Sequence, residues 1–251
     1  MRTIRPWLLV ALFAVAMAWV EAAAVMYLRL HSGRVQPYQA EPLQVIPSIG
    51  SIELVREAAT LVMLLAVGGL AGGTRATRFG YCLIAFGLWD ISYYVFLRWM
   101  GGWPASLLDW DILFLLPLPW WGPVLAPVLI SILMISLGTL LTLTRSDGSR
   151  PGVRVAVWIG AAFGALLAVG VFTWDALRAA PLGTQAVLDV LPQRFLWPPF
   201  LAAIALMSLP LAVLSWQIAS PGRRQGYPAS AASLPGQPRS DGRQARSGGN
   251  E

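Results

Sequence analysis

The stretch ILFLLPLPWWGPVLAPVLISILMISLGTLLTLT, residues 112–144, contains 33 residues and no charged side chain. Two further uncharged stretches, residues 155–174 and 195–222, contain 20 and 28 residues. About 20 mainly apolar residues in a helix are enough to cross the hydrocarbon core of a bilayer, which is about 30 Å thick. Each stretch is therefore long enough for a transmembrane helix, and together they predict an integral membrane protein.

The composition of the whole chain supports this interpretation. Its 251 residues are 57% hydrophobic and 12% charged, with a mean hydropathy of +0.63. Soluble domains carry about 25% charged residues, so most soluble enzymes are excluded, and so are disordered chains and collagen-like repeats. A disulfide scaffold is excluded because Cys82 is the only cysteine and has no partner within the chain.

Six segments pass the length test for a transmembrane helix, and the first three of them contain charged residues. The predicted spans are residues 7–28, 52–71, 79–97, 120–143, 155–172 and 195–216. Because the long apolar runs show no strand-like alternation, an all-α polytopic bundle is favoured over an outer-membrane barrel. We expect residues 1–218 to form this six-helix domain. Residues 219–251, rich in Gly, Pro, Ser, Gln and Arg, are expected to form a disordered basic cytoplasmic tail.

The distribution of positive charge predicts the orientation. All 18 basic residues are arginine; 12 fall on one side of the predicted spans, five on the other, and Arg56 lies inside a span. Positively charged loops stay in the cytoplasm, so both termini are predicted to be cytoplasmic in a plasma membrane of the bacterial inner-membrane type. Residues 1–24 also resemble a secretory signal peptide, whose removal would leave five spans.

The external connection before the fourth span has an unusual composition. Residues 107–116 carry Asp109, Trp110 and Asp111 before several prolines, and we expect a short interfacial helix there. Trp120 and Trp121 are expected to anchor the fourth span at headgroup level. The two aspartates are interpreted as solvated loop residues that could attract cations.

Small residues four positions apart predict where helices approach closely. On this basis we expect the second and fifth spans to lie inside the bundle. The pairs are Gly68 with Gly72, Gly69 with Gly73, and Gly160 with Gly164.

The first three spans contain four carboxylates, Glu21, Glu53, Glu57 and Asp90, together with one cation, Arg56. An ionisable group in hydrocarbon costs several kcal/mol, so each needs a partner, a proton or water. With a helical rise of about 1.5 Å per residue, Glu21, Glu57 and Asp90 lie about 8 to 13 Å below the external edge of the hydrocarbon. The three helices are therefore predicted to bring carboxylates to one acidic layer.

The spacing within this layer predicts specific contacts. Glu53 and Glu57 share a helix face, and Arg56 is three residues from Glu53 and next to Glu57. Tyr93 and Tyr94 follow Asp90 by one turn, and their hydroxyl groups could donate to a carboxylate. If all four carboxylates ionise, one arginine leaves a formal charge of −3, which a low dielectric disfavours. Some carboxylates must then be protonated, bind a cation or face water.

The leading hypothesis is therefore binding or translocation of a proton or cation at an externally open acidic site. Coupling of this movement to a small solute is an optional part of the hypothesis. The alternative is a non-catalytic accessory subunit of a larger membrane complex, in which Arg56 pairs with Glu53 or Glu57 to hold helices in register. A third hypothesis, an intramembrane enzyme with Glu57 or Asp90 as general base, ranks below these. The expected partners are the lipid bilayer and other membrane subunits. Nucleic acid is not expected, because the arginines are scattered between apolar runs.

No cofactor is predicted from the sequence. His31 is the only histidine, which argues against haem held by two histidines and against the usual zinc sites. A bound metal would be a hard cation held by carboxylate oxygen atoms. Neither a nucleophile elbow, a phosphate-binding loop nor an HExxH motif occurs, and Cys82 is interpreted as a packing residue.

Overall fold

The computed structural model describes residues 4–31, 33, 37–38, 47–115, 118–144 and 153–220, and these are mostly helical. The elements are α1 (Ile4–His31), α2 (Pro47–Ala71), α3 (Arg75–Gly101), β1 (Trp110–Ile112), β2 (Trp121–Pro123), α4 (Leu125–Thr144), α5 (Val155–Ala179), α6 (Thr184–Leu188) and α7 (Trp197–Ala219). A 3₁₀ turn, Ala180–Leu182, joins α5 to α6. The predicted tail, residues 219–251, lies outside the described residues apart from Ala219 and Ser220, and it stays a prediction.

Within the described residues six helices, α1 to α5 and α7, are long and apolar enough to cross a membrane, which supports a multi-pass membrane protein. This number of helices of spanning length agrees with the prediction. Two boundaries match as well, since α2 ends at Ala71 and α5 begins at Val155. The fourth span begins at Leu125 instead of residue 120, because residues 121–123 form strand β2.

Helix α3 is the most deeply packed span. In its most apolar window 50% of the residues are buried, whereas the corresponding value is 22% for both α2 and α5. The expectation that the second and fifth spans lie inside the bundle is therefore wrong. The reason is the close approach of α3 to α4. A Cβ on Gly87 would lie 2.7 Å from the Ser131 carbonyl oxygen, and a Cβ on Gly138 would contact the Gly80 carbonyl oxygen.

The glycine pairs predicted from spacing give a mixed result. A Cβ on Gly68 would lie 2.5 Å from Cys82 of α3, and one on Gly164 would lie 2.8 Å from the Ala203 carbonyl oxygen of α7. Gly69 and Gly73 have no such neighbour within 4 Å. Close helix contacts thus occur along one face of α2 and one face of α5.

Residues 107–116 do not form the predicted interfacial helix. Strands β1 and β2 pair antiparallel, with Asp111 opposite Gly122, and the Val124 amide donates to the Asp109 carbonyl at 2.9 Å. A Cβ on Gly122 would lie 2.9 Å from the Phe172 ring, so any larger residue here would require the ring to shift. The prolines at 119 and 123 interrupt helical hydrogen bonding, and the backbone groups pair across the hairpin instead.

The tryptophans of this hairpin belong to the protein core. Trp121 is 3% exposed, and the ring of Trp120 stacks on Phe172 with centroids 6.1 Å apart. The prediction of an anchor at headgroup level is therefore wrong for Trp121, whose side chain is buried in the protein, and for the half-buried Trp120 it stays a prediction. Tyr38 covers the hairpin by stacking on Trp110 with centroids 6.0 Å apart.

Successive spans alternate in direction, so the chain has two chemically different ends. Helices α1, α3 and α5 begin, and α2, α4 and α7 end, at what we call the arginine-rich end; its described arginines are Arg5, Arg75, Arg78 and Arg154. We call the opposite end, where α1 and α3 finish and the hairpin lies, the arginine-poor end. All four carboxylates of the predicted acidic layer lie in the helix halves toward the arginine-poor end.

Candidate functional site

Arg56 on α2 binds two carboxylates from two helices. Its Nη1 pairs with Glu21 of α1, and its Nη2 lies 2.7 Å from Oε2 of Glu53, one helical turn away on α2. The Thr60 hydroxyl, also on α2, donates to the second oxygen of Glu21 at 3.2 Å. We call these four residues the Arg56 cluster. The sequence left Glu53 and Glu57 as alternative partners of Arg56, and the ion pair within α2 forms with Glu53.

The Arg56 cluster is largely shielded from the surroundings. The Glu21 side chain is 9% exposed, and the Arg56 side chain is 23% exposed. Ions removed from water need both a partner and further hydrogen bonds, and the bifurcated guanidinium with the Thr60 hydroxyl supplies them. The cluster therefore joins the second half of α1 to the first half of α2, with its more open side at Arg56.

Glu57 has a different environment from its neighbours on α2. Its two carboxylate oxygens accept the Leu115 amide at 3.2 and 3.0 Å, so the side chain is bound to the backbone that follows β1. Glu57 is buried and interacts electrostatically with Arg56. It thus connects the Arg56 cluster to the hairpin.

Asp90 lies at the close contact between α3 and α4. Its carboxylate is buried and accepts a hydrogen bond of 2.8 Å from the Ser131 hydroxyl of α4. Among the residues that the structure describes, no arginine forms an ion pair with Asp90. The charged neighbour that acts on it electrostatically is another carboxylate, Asp111.

The prediction that Asp111 is a solvated loop residue is wrong, and the residue belongs to the site. It is 2% exposed, lies 3.3 Å from Nη2 of Arg29, and accepts the Tyr94 hydroxyl at 3.1 Å. The guanidinium of Arg29 also lies over the Trp103 ring, 4.3 Å from its centroid. We call Asp111, Arg29, Tyr94 and Trp103 the Asp111 cluster.

The protonation of Asp111 follows from these contacts. Burial raises its pKa to about 6, from an ordinary value of 3.8, while the Arg29 charge and the Tyr94 hydrogen bond oppose the rise. At neutral pH the ion pair with Arg29 therefore persists, and mild acid protonates the carboxylate.

Among the described contacts neither tyrosine donates to Asp90, whose hydroxyl donor is Ser131. Tyr94 donates to Asp111 instead. Tyr93 is half-buried, stacks on Trp89 with centroids 6.1 Å apart, and lies edge-on to Tyr94 at 5.3 Å. It interacts electrostatically with Arg56 of the Arg56 cluster, with Arg29 and Asp111 of the Asp111 cluster, and with Asp90. Tyr93 therefore occupies the space between the clusters.

The predicted acidic layer thus consists of two hydrogen-bonded clusters, with Glu57 and Asp90 each bound to a partner of its own. Five carboxyl groups and two guanidinium groups leave a formal charge of −3 if all are ionised. Within the described ranges, no three His, Cys, Asp or Glu side chains converge on a point that could hold a metal ion. A hard cation bound by carboxylates stays a prediction.

The two other candidate side chains lie apart from this site. His31 is exposed at the end of α1. The Cys82 thiol lies 3.6 Å from the Leu65 carbonyl oxygen on α2, which is consistent with its interpretation as a packing residue.

Comparison of the chain with protein-family models, with curated proteins and with solved structures finds no match.

Proposed function

We propose that this multi-pass membrane protein binds and exchanges a proton at its buried acidic site. The observation that carries the proposal is Asp90, whose carboxyl group is buried, receives one hydroxyl hydrogen bond and has a second carboxylate as its charged neighbour. A buried charge without a counter-ion costs several kcal/mol, so a proton at this position relieves a large penalty. Carboxyl groups of this kind inside membranes are typical of proton relays.

The hydrogen-bond partner of Asp90 suits both protonation states. A serine hydroxyl can donate to a carboxylate and can accept from a carboxylic acid, because its hydrogen rotates. The contact of 2.8 Å between Ser131 and Asp90 can therefore persist while the proton arrives and leaves.

A route to the arginine-poor end is supported by the Asp111 cluster. Tyr94 is hydrogen-bonded to Asp111 and interacts electrostatically with Asp90. Since burial raises the pKa of Asp111 to about 6 and the residue belongs to the hairpin, it is suited to pass protons between the exterior and Asp90. A cation in place of the proton, and coupling to a small solute, are variants of the same proposal that flux measurements distinguish.

The orientation belongs to this proposal. The 12 arginines of the arginine-rich side favour a cytoplasmic location for both termini, in a plasma membrane of the bacterial inner-membrane type. The hairpin and both clusters then lie toward the exterior, and the site opens to that side.

The experiment is a flux assay with the chain reconstituted in vesicles that contain a pH-sensitive dye. Asp90→Asn keeps the shape of the side chain but cannot exchange a proton, so it should abolish proton uptake driven by a pH gradient. Asp189→Asn, an exposed carboxylate at the same end, is the matched control and should behave as wild type. Wild-type flux in a correctly folded Asp90→Asn variant would overturn the proposal.

The second candidate function, an accessory subunit, is favoured by a separate observation. Arg56 links α1 to α2, and Arg29 links α1 to the hairpin, so both cations also fasten structural elements together. If this is their whole role, Asp90→Asn is silent in the flux assay, and the protein purifies with further membrane subunits under mild detergent.

A further inference from the structure

A cleft opens between α1 and α2 at the arginine-rich end, far from the two clusters. It has a volume of about 680 Å³ and is lined by Arg5, Pro6, Leu9, Val67, Leu70 and Ala71. Volumes of about 300 to 1,000 Å³ are typical of ligand sites. Both helices pack on α3 here, because Val10 and Leu64 share a core cluster with Ile84, and the cleft lies beside this contact.

The walls of the cleft are apolar and open to the membrane. Leu9 is 58% exposed and Leu70 is 88% exposed, so both line the cleft without packing into the protein core and are accessible from outside the helices. Apolar walls of this kind accept an acyl chain without displacing any polar contact. The body of the cleft therefore suits the tail of a lipid.

The rim of the cleft is positively charged. Arg5 lies in the first turn of α1, and Arg78 is held next to the cleft because its Nε donates to the Gly72 carbonyl at 3.1 Å. No carboxylate occurs in residues 4–20, 58–71 or 75–89, which form the nearby parts of the three helices. The rim thus offers cations to an anionic head group with no acidic side chain close in sequence.

We propose that this cleft binds one anionic phospholipid, with an acyl chain between α1 and α2 and its phosphate on Arg5. Basic pockets between transmembrane helices bind anionic head groups, since the phosphate gains a cation without losing its aqueous side. A zwitterionic phospholipid also has a phosphate, but its ammonium group is repelled by the rim. The lipid site shares no residue with the proton site, so either proposal can be refuted without affecting the other.

The test uses native mass spectrometry of the full chain in detergent, with phosphatidylglycerol or phosphatidylcholine added. Wild-type protein should retain phosphatidylglycerol in preference to phosphatidylcholine. Arg5→Gln should lower that retention about fivefold, which corresponds to about 1 kcal/mol for one arginine near an anionic lipid. Arg154→Gln, an exposed arginine at the same end but outside the cleft, is the matched control and should retain lipid as wild type does.

A second variant tests the apolar part of the site. Leu70→Trp fills the cleft and should lower retention of phosphatidylglycerol, whereas Leu166→Trp on the exposed face of α5 should have no effect. Equal retention of the two lipids by wild-type protein, or unchanged retention by both Arg5→Gln and Leu70→Trp, would overturn the proposal. A variant that fails to fold is recognised by its thermal unfolding profile, and the lipid preference of the wild type still decides.

Discussion

Replacing Asp111 by asparagine should remove a pH dependence from the free energy of unfolding. In the folded chain the pKa of Asp111 is about 6, about two units above its ordinary value of 3.8, because the carboxyl is buried. Between these two values the folded state binds more protons than the unfolded state. The contribution of Asp111 to stability is thus fully present below about pH 4 and is lost as pH rises through about 6.

The size of this effect follows from the shift. One pKa unit corresponds to about 1.36 kcal/mol, so the difference in the free energy of unfolding between wild type and Asp111→Asn should change by about 3 kcal/mol from pH 4 to pH 7. Asparagine keeps the shape of the side chain and does not titrate, so the variant lacks this contribution.

Unfolding by SDS in mixed micelles, followed by tryptophan fluorescence at a series of pH values, measures this difference. Asp189→Asn is the control, because Asp189 is exposed. Arg29→Gln should move the inflection to higher pH, because the Arg29 charge lowers the pKa of Asp111. Parallel pH profiles for wild type and Asp111→Asn would refute the reasoning, and so would a downward shift of the inflection in Arg29→Gln.

Two further predictions concern the Arg56 cluster and the orientation. Arg56→Ala leaves two shielded carboxylates without their cation and should lower the free energy of unfolding by about 3 kcal/mol at pH 7. Adding Glu21→Gln should restore part of the loss, and a double variant no more stable than Arg56→Ala would argue against the ion pair. A cysteine at Ser106, which is exposed beside the hairpin, should react with an impermeant thiol reagent in intact cells, whereas one at Ser146 should react only after permeabilisation. The reverse labelling pattern would place the hairpin in the cytoplasm.

The helices could be predicted from the sequence because length and apolarity alone determine which segments can span a bilayer. The end of α2 at Ala71 and the start of α5 at Val155 agree with the prediction, since glycines follow the first and Arg154 precedes the second. Helix burial was harder to predict. The close contact of Gly87 with Ser131 depends on which spans are neighbours, and spacing along one helix does not contain that information.

The hairpin escaped prediction because its two strands contain three residues each, too few for a visible alternation of apolar and polar side chains. Its burial of Asp111 depends on Arg29, which is 82 residues away along the chain. An acidic residue in a connecting segment is usually solvated, so the sequence favoured the wrong environment.

The sequence indicated the charged residues inside the spans but missed Asp111 and Arg29, and it did not indicate the contacts between helices. Charged residues inside apolar runs are conspicuous, and the spacing limited the partners of Arg56 on α2 to Glu53 or Glu57, of which Glu53 forms the ion pair. The partners from other helices, Glu21 for Arg56 and Ser131 for Asp90, required the packing of the bundle.

The most direct test of the central claim is infrared difference spectroscopy of the reconstituted protein during a pH titration. A protonated carboxylic acid has a carbonyl stretch that a carboxylate lacks. Asp111 contributes one component of this band, because its pKa is about 6. We predict that a second component appears in the wild type as pH falls, is missing in Asp90→Asn but present in Asp111→Asn, and shifts in Ser131→Ala, which removes the hydrogen-bond partner of Asp90. Identical difference spectra for wild type and Asp90→Asn would show that Asp90 does not exchange a proton and would contradict the proposed function.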